Sequence, residues 1–143
     1  MLILSFGMLG VAGLLVSGVS NAASSEAMGK ATQLANEMAD RIRANSAVAL
    51  SASSEYSIAY GASAPTGTTV ARKDVAEWRD AIAAQLPSGS GAITVDVAGG
   101  ARKVTIKVRW NNCLGILNDT ETAGCKNQTG TSLYKEVIYE MRL

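Results

Sequence analysis

The chain divides by its pattern of apolar and polar positions. Met1 to Val19 reads MLILSFGMLGVAGLLVSGV, interrupted only by small and hydroxyl residues, and no charged residue occurs before Glu26. A helix needs roughly 20 predominantly apolar residues to span a bilayer, and the uncharged continuation to Ser25 leaves room for tilt. Two other readings stand beside a membrane helix. A cleaved signal peptide would explain the run and the small-residue triplet Ser20-Asn21-Ala22, but such peptides open with positive charge and this run begins at once. A core helix buried all round is the third, and so small a domain has little interior to hold it. From Met28 the pattern changes. Met28, Ala31, Leu34, Ala35, Met38 and Ile42 recur in steps of three and four, one face of a helix. Glu26 precedes Lys30 and Glu37 precedes Arg41 at the i, i+4 spacing that supports an exposed helix face. With no proline before Pro65, the pattern predicts one continuous helix from Met1 to about Ala47, roughly 70 Å long at 1.5 Å per residue. Its first half (1–25) is apolar all round and its second amphipathic. Gly7, Gly10, Gly13 and Gly18, with the pairs Gly13/Ser17 and Gly18/Ala22, would let like helices approach closely; for any one pair, ordinary membrane-helix composition explains as much.

The remainder, 26–143, reads as a head. Residues 50–70 are rich in Ser, Ala, Gly and Thr and predict a surface loop, with Tyr56, Ile58 and Tyr60 pinning it to the body. A short helix follows, with Asp74 and Glu77 spaced as a capping box, Val75, Trp78, Ile82 and Leu86 as its apolar stripe, and Pro87 as its stop. Alternation then predicts three strands. Ile93, Val95 and Val97 mark the first, ending at the glycine turn Ala98–Ala101. Val104, Ile106, Val108 and Trp110 mark the second, against Lys103, Thr105, Lys107 and Arg109. Val137, Tyr139, Met141 and Leu143 mark the third, where Ile138 breaks the otherwise polar face. The fold class is α+β: a small antiparallel sheet with one apolar face, covered by the amphipathic half-helix.

Composition narrows the chemistry. The 143 residues include no histidine, which excludes Ser-His-Asp and Cys-His nucleophile pairs, a histidine general base and histidine-ligated metals. Two cysteines cannot build a cysteine-rich zinc site. Enzymes without histidine exist, through paired carboxylates or Ser-Lys dyads, and a Ser-Lys dyad has no recognisable motif here. The expectation is therefore no enzyme, with no catalytic residue, metal or cofactor. A net charge of +1 with scattered Lys and Arg predicts no nucleic-acid partner. Cys113 and Cys125 bracket one polar stretch. In a membrane-anchored chain they suggest a disulfide made in an oxidising compartment, though two free cytosolic thiols fit the spacing as well. Asn118-Asp119-Thr120 and Asn127-Gln128-Thr129 match the glycosylation pattern, which is common by chance. Asp119 and Glu121 fall short of a calcium ligand set.

Four segments carry a family resemblance. LSFGMLGVAGL at Leu4–Leu14, MADRIRAN at Met38–Asn45, VAEWRDAIAAQLPSGSGAI at Val75–Ile93 and VTIKVRW at Val104–Trp110 resemble signatures of PilV-type minor pilins. The likeness covers most of the chain, and MADRIRAN with AEWRDAIAAQLP is its specific part. Such pilins open with a basic leader and a Glu-bearing helix start, and neither precedes Met1 here; the chain is expected to begin several residues inside the mature helix.

The resemblance implies a type IV pilin-like fold and a non-enzymatic subunit. It would sit in the inner membrane as a single-pass protein with its head in the periplasm, then join the pilus at the cell surface. Its partners would be other minor pilins, the major pilin, the inner-membrane assembly platform and the lipid bilayer, and its work pilus priming, adhesion or twitching. Asp40, Arg41, Arg43 and Asn45, where the helix meets the head, with Trp78 and Arg79, would form an inter-subunit or head-locking network. A solvated helix end with local ion pairs is equally consistent with the first four. Two rivals remain: a pseudopilin of a type II secretion system, and a signal-anchored periplasmic binding or hydrolytic domain, which would need a concave pocket of convergent polar groups.

Overall fold

A computed structural model describes residues 24–51, 54–97, 103–111 and 134–143. Helix α1 spans 24–44, and Ala27, Ala31, Leu34, Ala35, Met38, Ala39 and Ile42 are buried along one side of it. Met28 is 45% exposed; the stripe runs through Ala27 at that turn instead. α1 stops because Asn45 leaves helical geometry, with φ −121° and ψ 38°, and its side chain turns inward to donate to the Tyr56 hydroxyl at 3.1 Å. A single turn, α2 (Ser46–Ala49), follows, and the chain then crosses to α3 (Val70–Gln85).

Strands β1 (Ser90–Asp96), β2 (Lys103–Asn111) and β3 (Tyr134–Arg142) form an antiparallel sheet in sequence order. Val104, Ile106, Val108 and Trp110 of β2 are fully buried, alternating with half-exposed polar residues. The register places Ile93 and Tyr139 on either side of Ile106, and Gly91 and Val137 on either side of Val108. These residues meet the stripes of α1 and α3 in one hydrophobic core. Gly91 is where the layers come closest: a Cβ there would lie 2.5 Å from the Trp78 ring. Trp78 itself bonds α3 to α1, its Nε1 donating to the Leu34 carbonyl at 2.9 Å.

Several expectations are corrected. α3 begins at Val70 with Thr69 before it, and no side chain caps it. Asp74 and Glu77 are therefore not a capping box but interior helix positions facing α1. The single helix from Met1 to about Ala47 gives way, among the described residues, to a 21-residue helix ending at Ala44. None of the described helices is long and apolar enough to cross a membrane. The reason is local: α1 carries Glu26, Lys30, Glu37, Asp40, Arg41 and Arg43, and its apolar residues occupy one face only. The type IV pilin-like long helix, the single-pass inner-membrane location with a periplasmic head, and the bilayer and assembly-platform partners lose that support. The apolar run Met1–Val19, and the expected membrane half as far as residue 23, lie outside the described residues. So do Cys113 and Cys125, and no disulfide is present among the described residues. Among the described residues the fold is a small α+β domain of three short helices and an open three-stranded sheet.

Candidate functional site

Two polar clusters stand out, one between the helices and one on the outer face of the sheet. The first is built on Arg41. Its guanidinium donates to Glu37 one turn back (2.8 Å) and to Glu77 (2.9 Å) and Asp74 (3.2 Å) on α3. The other Asp74 oxygen accepts the Tyr56 hydroxyl proton at 2.8 Å, and Tyr56 accepts from Asn45. One cation and three carboxylates thus bind α1, α3 and Tyr56 together. The bonds to Glu77 and Glu37 push the Arg41 pKa still higher than is usual for arginine. Burial is the main cause that raises the Tyr56 pKa from its ordinary value near 10 to about 12, and its bond to Asp74 adds to this.

The other residues expected in this network are placed close by but not in it. Arg43 pairs with Asp40 at 2.7 Å and donates to the Tyr139 hydroxyl at 2.8 Å, tying α1 to β3. Trp78 is buried against Gly91 and Leu34, and Arg79 donates to the Ala62 carbonyl. Each of the six residues has its contacts within this one chain.

The second cluster was not foreseen as a unit. Arg109 lies with its guanidinium carbon 4.0 Å from the Tyr60 ring centre and 5.5 Å from that of Tyr134. Tyr60 donates to Glu136 at 2.5 Å, and burial followed by that bond raises its pKa well above the ordinary value. The sequence signals are the alternation that puts Arg109 and Glu136 on the outer face and the expected pinning of the loop by Ile58 and Tyr60; Ile58 pairs with Ile93 at the edge of β1. Ile138, 53% exposed, lies on this face. A groove of about 480 Å³ beside the loop is lined by Ser54, Ser57, Arg72 and Val95 among others. Arg72 there is already engaged with Glu55 at 3.1 Å and the Thr66 carbonyl at 3.0 Å. Among the described residues no group of three or more acidic or cysteine side chains could hold a metal ion.

The two raised tyrosines make an alkaline prediction. A phenol whose pKa is higher folded than unfolded stabilises the fold fully below its unfolded value, near 10, and the contribution fades as pH rises through the folded value. Tyr56 and Tyr60 are expected to ionise above the ordinary phenol range, and unfolding should set in as pH passes from about 10 towards 12. Tyrosinate absorbance followed beside circular dichroism checks this. Tyr56 ionising near 10 with the fold intact would contradict its burial and its contact with Asp74.

Comparison with protein-family models, with curated proteins and with solved structures gives no match. The resemblance to minor pilins is therefore corrected: no relative supports it, and the described N-terminal helix lacks the length and apolar character it requires. The same holds for the pseudopilin and the signal-anchored binding or hydrolytic domain, and for the pilin partners.

Proposed function

We propose that the protein is a non-enzymatic binding or scaffolding subunit that works through protein–protein contact at its sheet. The observation that carries this reading is the closure of the Arg41 cluster. Catalysis by general acid or base needs a group that exchanges a proton near working pH and reaches a substrate. Here the charged groups that the helices bring together satisfy one another, with the Arg41 pKa driven up and the Tyr56 hydroxyl held neutral. The cluster ties α1, α3 and Tyr56 together, which is what a rigid presenting surface requires. The sheet supplies that surface: Arg109 between two tyrosines, next to exposed Ile138, is the residue mixture enriched at protein interfaces.

The test separates acid–base chemistry from contact. In cells lacking the gene, the double variant Glu37→Gln/Glu77→Gln should restore whatever the deletion removes, because both side chains are exposed partners of Arg41 whose loss costs under about 1 kcal/mol each. Ile138→Asp, outside the core, should fold normally and fail to restore it. A folded Gln/Gln variant without function would overturn the reading.

A further inference from the structure

Among the described residues β3 is an edge strand, and its outer edge has an unusual charge pattern. At the opposite edge the sheet is partly closed: Ile58 and Ile93 exchange backbone bonds of 2.9 and 2.8 Å across β1. No described strand does the same for β3. The strand runs nine residues without proline, glycine or bulge, in unbroken register with β2. Long edges of this kind are usually blunted by proline, bulges or inward charges. Lys135 is such a charge, but it lies only at the start of the strand and reaches Ser24 on α1 at 2.8 Å. Beyond it the inward residues Val137 and Tyr139 are only half-buried, while their β2 neighbours Val108 and Ile106 are fully buried. The helices therefore leave this margin incompletely covered.

The charges say what fits there. Arg142 lies opposite Lys103, a like-charge pair that disfavours the sheet, and Lys103 turns to Glu140 at 2.7 Å. Arg142 is exposed and has no ion pair or hydrogen bond among the described residues. An antiparallel second copy must align residues of the same face, so the two-fold axis falls on a residue and not between two. Centred on Ile138, the axis sets Glu136 against Glu140 of the partner subunit; centred on Glu140, it sets that glutamate against itself. Centred on Val137 it pairs no glutamate with a basic residue, and centred on Met141 it sets Glu140 against Arg142 of the partner subunit over residues 139–143 only. Centred on Tyr139, it sets Glu136 against Arg142 of the partner subunit, twice by symmetry, and Val137 against Met141 of the partner subunit, over nearly the whole strand and with no like charges opposed. We infer that β3 pairs with β3 of a second copy about an axis through Tyr139, giving a continuous six-stranded sheet. This goes beyond the reading above and does not depend on it, since an enzyme could pair in the same way.

The full chain should sediment as a dimer that dissociates on dilution. Glu136→Arg and Arg142→Glu each set two like-charge pairs across the axis and should weaken the dimer on the order of ten-fold or more. The double swap Glu136→Arg/Arg142→Glu rebuilds both pairs and should bring the dissociation constant back to within about three-fold of the parent. Circular dichroism confirms that each variant is folded; the rescue separates pairing from any loss of the Tyr60 bond. A monomer at all concentrations overturns the inference. So does a dimer indifferent to all three variants, as one held by the apolar residues 1–19 would be, or a double swap that fails to rescue.

Discussion

Replacing Trp78 by alanine is expected to destabilise the domain by about 3–5 kcal/mol, a large share of the roughly 5–15 kcal/mol that holds a small domain folded. The indole is 2% exposed and lies where three elements meet. It fills the space left by the missing side chain of Gly91 on β1, packs within α3, and donates Nε1–H to a carbonyl of α1. No rearrangement of one neighbour can close the resulting cavity, because the lining comes from separate elements held by the sheet register. Trp78→Phe should fall between, keeping much of the packing and losing the bond to Leu34. Gly91→Ala should harm the same junction from the other side, since its Cβ would lie 2.5 Å from ring carbons that have nowhere to move. Urea unfolding followed by circular dichroism measures all three. A Trp78→Ala variant within about 1 kcal/mol of the parent would mean that the indole is not a junction.

The parts of this fold that the sequence revealed are those where one periodicity acted without competition. β2 is the clearest: the alternation of Val104, Ile106, Val108 and Trp110 with charged residues is the alternation of buried and half-exposed positions. The stripe Leu34, Ala35, Met38 and Ile42 is read equally directly, because charged residues fill the other faces of α1. The beginning of α3 was misplaced because Asp74 and Glu77 have the spacing of a cap, while their carboxylates in fact meet a cation 33 and 36 residues away. Local pattern has no access to a partner at that distance. The same blindness hid the outer-face cluster: Tyr60 comes from a loop with no period, and its contact with Arg109 depends on where Ile58 joins β1. MADRIRAN and AEWRDAIAAQLP stood out in the sequence only through the resemblance that the comparisons do not support. Their meeting through Arg41, Asp74 and Glu77 needed the helix layer to be seen.

Ile42→Ala, at the other end of the helix layer, is expected to cost about 2–5 kcal/mol, while Glu37→Ala should cost under about 1 kcal/mol. Both lie on α1, little more than one turn apart, and Glu37 is the residue with the visible ion pair. The difference is burial. Ile42 is fully buried within the core that α1, α3 and the sheet share. Removing its outer methyl groups leaves a void that Met38 and its other neighbours, themselves fixed in the core, cannot refill. Glu37 is 48% exposed, so water replaces its half of the bond to Arg41. Arg41 keeps Glu77 and Asp74, so the helices remain tied. Met38→Ala should follow Ile42→Ala, because both belong to the same buried stripe. Paired urea titrations decide the matter. Equal losses for Ile42→Ala and Glu37→Ala would mean that α1 is held to the head by its charges and not by the stripe packed into the shared core.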